Sequence, residues 1–557
     1  MGKRVTRADL VFALIFLSGA WMIFYKCSFG FANIDESFYL TIPYRLSQGD
    51  SLFTQEWHLS QMGNFLIYPI FLLYRLFFSG TEGILLHFRY LYTALHALTA
   101  LFLYLRMRRY GLFAAGASVM YLLFASFGIM ALSYNTMGVA CTTLSGVLLA
   151  TNPNRRPAPF FFIGLFYAGA VLCCPYLAAG YVVYAIVCLL QRKWRNLLWI
   201  TLGCGSLAVV FLAFVLSRAS ISQILYSLPI LLNDPEHPPI SLHQSLFNYC
   251  VVILFSSRYA VPLAMATAIL SCTVLADRKS ASRQIVYALA AGVLTGLYTI
   301  SYLRDGVNLN FLMFCPSILG WFAFLLAPKE NLVWFLSTWV LGLLYSLCIN
   351  WTSNQGFYVI SMAFTVGSVG SWIMLSNWLN TCTSAAARRW LRGAFLVGLA
   401  LFLAAEGYVR FNSLFWEDGG MSQMTHTITV GAEKGIRTTP ERKDSYEALY
   451  QDTQAVRDFE SGPVLYFTAN TMLYLSDTKE NASFSAWTSG INKASADKLA
   501  QYYYLNSQKV PAVIYCMKSD DFSEELVAQL TQSWGYTLKE TQLGYILTSS
   551  DLGGEPA

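Results

Sequence analysis

Two adjacent carboxylates near the start of the chain are the first residues whose type could support chemistry. Asp35 and Glu36 lie in the segment Phe31-Ala-Asn-Ile-Asp-Glu-Ser-Phe-Tyr-Leu40, a few residues after the first long apolar run. Apolar flanks at a membrane surface would raise the pKa of a carboxyl group and favour its use as a proton acceptor. A solvated acidic pair at a helix start is the alternative interpretation.

A second candidate is a basic residue much later in the chain. Arg304 precedes an apolar run that continues to Pro316, and Arg258 stands at the start of an earlier run. A guanidinium at the low-dielectric mouth of a membrane protein is a good partner for a phosphate group. The alternatives are a snorkelling arginine or an ion pair to Asp305 for Arg304, and an interface anchor for Arg258.

Other polar and aromatic residues are weaker candidates. Those that could contact a substrate by stacking or hydrogen bonding are Tyr39, Tyr134, Asn135 and His58. His58 and His237 have no partner at metal-binding spacing, so a solvated or hydrogen-bonded histidine is the alternative for each. Arg89 and Glu406 lie near the ends of apolar runs, where ionisable groups can be functional or can snorkel.

The composition identifies the elements that must position these residues. Of 557 residues, 56% are hydrophobic and 12% are charged, against the roughly 25% charged that is usual in soluble domains. A soluble globular fold is therefore excluded. Residues 1–411 contain 26 Lys and Arg and 12 Asp and Glu, whereas residues 412–557 contain 11 and 19. The chain thus has two differently solvated parts, and its basic loops encode membrane orientation rather than nucleic-acid binding.

The apolar runs predict thirteen transmembrane helices. A span needs about 20 mostly apolar residues. The stretch from Pro159 to Leu190 is too long for one helix, so we divide it at Cys174-Pro175-Tyr176. The other eleven predicted spans are 10–30, 83–105, 111–129, 134–151, 195–217, 251–275, 284–302, 307–327, 331–350, 356–378 and 393–411.

The basic residues predict the orientation of these spans. With the N-terminus in the cytoplasm, 18 of the 26 Lys and Arg residues of the membrane part fall in inner segments. Loops 31–82 and 218–250 and residues 412–557 are then extracytoplasmic. Loop 31–82 contains the apolar segment Asn64 to Phe78, too short to span, and a helical pattern from Tyr39 to Leu46.

Residues 412–557 have the pattern of a small α/β domain. Val464 to Phe467 and Ala512 to Cys516 are typical of buried strands, and Ala494 to Leu505 and Ser523 to Trp534 of helices. Two further short runs, Tyr536 to Lys539 and Tyr545 to Thr548, predict a closing hairpin. This part has no phosphate-binding glycine loop and no nucleophile motif, which favours an accessory or acceptor-handling domain.

These features together resemble a known enzyme family. A basic N-terminus, one span, Asp35-Glu36 followed by Phe38-Tyr39, then Gly49-Asp50 and a long first outer loop resemble the start of the GT-C membrane glycosyltransferases. The likeness is to the branch containing protein O-mannosyltransferases and the lipid A aminoarabinose transferase. The resemblance implies that Asp35 is the catalytic base and Glu36 its supporting neighbour. It also implies that Arg304 meets the phosphate of a polyprenyl carrier.

The chain departs from the family at one position. Several relatives have a second acid at the outer end of the third span, where this chain has Ser133-Tyr134-Asn135-Thr136. An amide can hydrogen-bond a sugar hydroxyl but is a poor metal ligand, so a divalent-metal requirement is doubtful and no cofactor is certain. The chain also lacks the inserted trefoil domain of eukaryotic protein mannosyltransferases, which weakens the case for a protein acceptor.

The sequence therefore predicts an all-α polytopic membrane domain of GT-C type, residues 1–411, followed by an extracytoplasmic α/β domain, residues 412–557. The expected activity is inverting transfer of a hexosyl or pentosyl group from a polyprenyl-phosphate carrier to a hydroxyl of a lipid, glycan or protein. The expected place is the bacterial plasma membrane, in cell-envelope chemistry. The alternatives are a secondary transporter or lipid flippase and a non-catalytic scaffold, although the halves look unrelated and the charges cluster at the outer rim.

The predicted topology can be tested with reporter fusions. Fusions placed after Lys193 and after Arg410 should report opposite sides of the membrane, because basic residues alternate loop by loop. Both reporters on one side would contradict the assignment.

Overall fold

The computed structural model describes most of the chain and is predominantly helical. The described residues are 5–30, 34–152, 157–234, 240–277, 280–305, 308–353, 356–414, 419–459, 462–476, 478–487, 493–520, 523–533 and 535–549.

The described part of the membrane domain consists of helices. Their bounds are α1 (Arg7–Lys26), α2 (Asp35–Gln48), α3 (Asn64–Phe77), α4 (Ile84–Met107), α5 (Leu112–Leu123), α6 (Tyr134–Thr151), α7 (Pro157–Cys173), α8 (Tyr181–Leu190), α9 (Trp194–Leu216), α10 (Ile221–Leu232), α11 (Leu242–Leu254), α12 (Ala260–Asp277), α13 (Ala281–Asp305), α14 (Leu309–Leu326), α15 (Pro328–Trp334), α16 (Leu341–Ser353), α17 (Phe357–Ile360), α18 (Phe364–Thr381) and α19 (Ala385–Asn412). A π-helical turn, Phe335–Val340, joins α15 to α16.

Each of the thirteen predicted spans coincides with helices of the structure. Within the described ranges, eight segments are long and apolar enough to cross a membrane: Arg7–Lys26, Trp194–Leu216, Ala260–Asp277, Ser282–Asp305, Leu309–Leu326, Pro328–Ser353, Phe357–Thr381 and Ala385–Asn412. The other five coincide with α4, α5, α6, α7 and the stretch Pro175–Leu190. The predicted break is present, since α7 ends at Cys173 and a 3-10 turn, Pro175–Gly180, leads into α8.

Two predicted spans differ from the structure in extent. The predicted span 111–129 ends early, because α5 stops at Leu123 and Phe127 and Gly128 adopt positive φ angles of 59° and 79°. The backbone N–H of Phe127 donates to Asn310 Oδ1 at 3.0 Å, which holds this non-helical segment against α14. The predicted span 251–275 begins inside α11 and is broken before α12, which starts at Ala260.

The two predicted helices of the first long loop are present. Helix α2 extends the predicted Tyr39 to Leu46 pattern at both ends, and it stops at Gly49, which has φ +111°. Glycine tolerates this left-handed conformation without the Cβ clash of other residues. Helix α3 matches the predicted segment from Asn64.

The C-terminal part contains a four-stranded sheet and helices. Its elements are α20 (Pro440–Arg457), α21 (Leu473–Ser476), α22 (Lys493–Leu505), α23 (Ser523–Ser533), the two-residue strands β1 (His426–Thr427) and β2 (Arg437–Thr438), and β3 (Val464–Phe467), β4 (Val513–Met517), β5 (Tyr536–Glu540) and β6 (Gly544–Ser549). The sheet order is β3-β4-β6-β5, with β3 and β4 parallel and β5 and β6 an antiparallel hairpin. The expected fold class, a polytopic helical domain followed by an α/β domain, is confirmed.

A buried ion network joins the first loop to the C-terminal part. The Arg45 guanidinium donates to Asp50 Oδ2 at 2.7 Å and to Glu56 Oε2 at 2.6 Å, and Lys509 Nζ lies 2.6 Å from Asp50 Oδ1. Burial raises the pKa of Glu56, and the Arg45 charge opposes that shift. A second connection comes from Asn506, whose amide donates to the backbone carbonyl of Thr54 at 3.1 Å.

We expect Arg45→Met to destabilise the protein strongly. The substitution leaves the fully buried Glu56 without its cation, and breaking a buried pair from one side costs about 3–5 kcal/mol. Lys434→Met is the matched control, because Lys434 and Glu82 form an exposed pair worth about 0–1 kcal/mol. Thermal unfolding in a mild detergent measures both, and equal shifts would contradict the structural role of the network.

Candidate active site

A cavity of about 320 Å³ lies where α2, α6 and the C-terminal part meet. Its walls combine aromatic residues with small polar ones. The aromatic residues are Phe38, Tyr39, Phe127, Tyr134, Tyr345, Tyr358 and Trp487, and the polar ones include Asp35, His58, Ser60, Asn135, Thr352 and Ser353. This lining resembles ligand pockets in general, in which apolar walls carry a few placed polar groups.

Asp35 is the first residue of α2 and lines the cavity. The N-terminus of a helix carries partial positive charge, which stabilises a carboxylate at this position. Asp35 is partly buried and is the only acid among the described lining residues. The predicted catalytic base is therefore in a cavity rather than on an open surface.

Glu36, the adjacent acid, has a different environment. It is buried away from the cavity lining and pairs with Arg89 of α4, whose Nε lies 3.0 Å from Glu36 Oε2. Arg89 also donates to the backbone carbonyls of Cys27 at 2.8 Å and Gly30 at 2.9 Å. The pair thus ties the end of α1, the start of α2 and α4 together. Arg89, a weak functional candidate in the sequence, has a positioning contact here.

The N-terminal end of α6 forms the facing wall. Ser133 caps this helix by accepting from the backbone N–H of Thr136 at 3.2 Å, which places Tyr134 and Asn135 at the cavity. The Tyr39 ring meets that of Tyr134 edge-on at 5.8 Å, and Asn135 lines the same cavity. Burial raises the pKa of Tyr39 well above its usual range, so its hydroxyl is neutral. Three predicted substrate residues are thereby brought together.

His58, the fourth predicted substrate residue, also lines the cavity. Its Nδ1 accepts from the backbone N–H of Ser60 at 3.1 Å, which assigns the ring proton to Nε2 in the neutral form. Its backbone N–H donates to Glu56 Oε1 at 3.0 Å. The buried Arg45 network therefore extends to a residue of the cavity wall.

Besides Phe38, four aromatic wall residues were not among the sequence candidates. Phe127 comes from the segment after α5, Tyr345 from α16, Tyr358 from α17, and Trp487 from the C-terminal part. The Trp487 ring meets Phe38 edge-on at 5.2 Å, and the Phe127 and Tyr358 rings lie 4.8 Å apart. These residues lie far apart in the sequence, so only information about long-range contacts could have predicted that they share a cavity.

The two predicted phosphate-binding arginines lie outside the lining. Arg304 is exposed at the C-terminal end of α13, and Arg258 forms an ion pair with Asp305 at 2.9 Å. Tyr302, two residues before Arg304, stacks on Phe357, the neighbour of the wall residue Tyr358. The end of α13 therefore packs beside the cavity wall. No Lys or Arg is among the described residues that line the cavity.

The described residues contain no group of three His, Cys, Asp or Glu side chains placed to hold a metal ion. Asn135, an amide rather than an acid, lines the cavity. His237 lies outside the described residues.

Comparisons with known proteins give similarity to solved structures alone, and that similarity is weak. No protein-family model and no curated protein matches the chain. Among solved structures, the chain is similar to ArnT from Cupriavidus metallidurans bound to undecaprenyl phosphate. The TM-score is 0.41 and the identity 11%, over 98% of this chain and 99% of that chain. The functional argument therefore rests on the cavity and its residues.

Proposed function

We propose that the protein is an inverting membrane glycosyltransferase that moves a sugar from a polyprenyl-phosphate carrier to an acceptor hydroxyl. The observation that carries the proposal is Asp35, which begins a helix and is the one acid among the described residues that line an aromatic cavity of the helical bundle. The sugar is a hexosyl or pentosyl group, and the acceptor is a lipid, a glycan or a protein. The site faces the extracytoplasmic side of a bacterial plasma membrane.

The proposed reaction is one displacement at the anomeric carbon. Asp35 accepts the proton of the acceptor hydroxyl, and the oxygen forms a bond to the anomeric carbon from the face opposite the phosphate. The bond from that carbon to the phosphate oxygen breaks, and its electron pair leaves with the lipid phosphate. The activated donor supplies the driving force, so the step needs no nucleotide and no oxidant.

The cavity walls suit a sugar. Aromatic faces pack against the C–H faces of a sugar ring, and the rings of Tyr134, Tyr358 and Trp487 line the same cavity as Asp35. Asn135 and the hydroxyls of Ser60 and Thr352 offer donors and acceptors to sugar hydroxyls. With no Lys or Arg among the described lining residues, this wall favours an uncharged sugar over an anionic one.

Arg304 is the proposed partner of the donor phosphate. Among the described residues it makes no ion pair, whereas Arg258 is held by Asp305. A guanidinium next to a low-dielectric cavity can stabilise the phosphate as its charge increases during bond cleavage. Arg258 would then act as an auxiliary cation at the same helix end.

The transporter alternative makes a different use of Asp35. A transported ion or lipid would require ionisable groups along a path near the middle of the bilayer, whereas Asp35 begins a helix of the first loop. Release of polyprenyl phosphate from a labelled donor separates the two functions, because a flippase leaves the donor intact.

We expect Asp35→Asn to abolish transfer. An amide cannot accept the acceptor proton, and loss of a general base costs about 10²–10⁴-fold in rate. Purified protein in vesicles would be given radiolabelled polyprenyl-phosphate sugars, and release of the carrier phosphate would be measured. Donor binding should remain largely intact.

Glu36→Gln is the matched control for that experiment. It leaves Arg89 without its buried partner, so it should lower thermal stability more than Asp35→Asn while reducing the rate less per folded molecule. Near wild-type turnover by Asp35→Asn would show that another residue is the base.

We expect Arg304→Ala to weaken both donor affinity and turnover by roughly ten- to hundredfold, since a charge-assisted contact is worth about 1.5–3 kcal/mol. Arg304→Lys should recover part of the loss, because an ammonium lacks the bidentate geometry. Donor titrations of the three proteins test this, and unchanged values in Arg304→Ala would transfer the role to Arg258.

A further inference from the structure

A second and larger cavity, of about 670 Å³, lies between α4, α6 and α7. We call it the α4–α6–α7 groove. Its lining is mostly apolar, and two lining residues, Leu98 and Phe162, are 60% and 49% exposed at the bundle surface. In a membrane this opening meets lipid rather than water. Nothing in the proposed transfer reaction uses this groove.

The length of the groove suits a chain-like ligand. Lining residues on α4 extend from Tyr92 to Arg106, which corresponds to about 21 Å along a helix. The hydrocarbon core is about 30 Å thick, so one leaflet contributes about 15 Å. A single lipid tail that enters at one end could therefore lie along the groove past the middle of the bilayer.

The charge of the groove is confined to one end. Arg106 is partly buried at this end. It makes long contacts to Thr151, 3.3 Å from Nε to Oγ1 and 3.4 Å from Nη2 to the backbone oxygen. Among the described residues it has no carboxylate partner. The opposite end is formed by uncharged residues, including Leu132 and Thr136. His96, between the ends, is hydrogen-bonded to the carbonyl of Tyr121 at 2.7 Å.

We propose that the groove binds one acyl chain of an anionic phospholipid, with the lipid phosphate on Arg106. The phospholipid belongs to the leaflet at the Arg106 end, which is opposite the end of α4 that contacts α2 through Arg89. Basic pockets between membrane helices commonly bind anionic headgroups in this way. The guanidinium supplies paired donors to the phosphate, and the apolar walls replace bulk lipid around the tail.

The carrier of the proposed transfer reaction is a different occupant. Its phosphate must approach Asp35, at the end of the bundle opposite Arg106. The phospholipid proposal therefore does not rest on the proposed function, and its readout is lipid binding rather than turnover.

Titration of delipidated protein in a neutral detergent tests the proposal. Phosphatidylglycerol and phosphatidylcholine would be added separately, and bound lipid would be counted by native mass spectrometry. Wild type should retain phosphatidylglycerol in preference. Arg106→Gln should weaken phosphatidylglycerol binding by at least about tenfold and remove the preference. Ala140→Phe, which fills the middle of the groove, should reduce binding of both lipids.

Two control variants separate the groove from the general surface. Arg195→Gln removes an exposed cation at the start of α9, and Ala268→Phe adds a ring to an exposed position on α12; neither should change retention. Unchanged binding in both Arg106→Gln and Ala140→Phe would overturn the proposal. Displacement of phosphatidylglycerol by an equimolar polyprenyl phosphate would overturn it as well, by making the carrier the occupant.

Discussion

The position of α2 depends on one buried ion pair, and the candidate active site depends on the position of α2. Arg89 joins the carboxylate of Glu36 to the backbone carbonyls that end α1. A buried pair contributes little net stability, but removing one partner leaves an expensive unpaired charge. The interaction therefore acts as a constraint on geometry: Asp35, one residue before Glu36, has to emerge at the start of α2, where the cavity lies.

The C-terminal part forms part of the cavity wall, to which it contributes Trp487. Lys509 reaches Asp50 through the Arg45 network, and the backbone N–H of Trp57 donates to the carbonyl of Phe484 at 2.8 Å. The Trp57–Phe484 contact lies close in sequence to His58 and Trp487, whose rings both contact the Phe38 ring. A substrate in the cavity would touch both parts of the chain, so a change in how they dock would alter its binding.

The helices and strands were largely predictable, because the periodicity of hydrophobic residues and the length of each apolar run can be read from short segments of sequence. Pro175 correctly indicated the break after α7, and the short apolar runs of the C-terminal part correctly indicated β3 to β6. The end of α5 was not predictable from composition. The chain turns there because Phe127 adopts a positive φ angle, and a hydrogen bond from its backbone N–H to Asn310 stabilises that conformation. For the same reason the partner of Arg89 and the approach of Trp487 were missed: both contacts join segments that are distant in sequence.

The two neighbouring acids, Asp35 and Glu36, lie in different environments. Glu36 is buried and forms an ion pair with Arg89, so its carboxylate has a structural role. Asp35 is only partly buried and lines a cavity among aromatic rings, so a ligand in the cavity can reach its carboxylate. Adjacent carboxylates in such different surroundings are the arrangement by which proteins assign distinct roles to chemically identical groups. That contrast, which the sequence alone cannot show, is why we propose Asp35 as the base and Glu36 as a positioning residue.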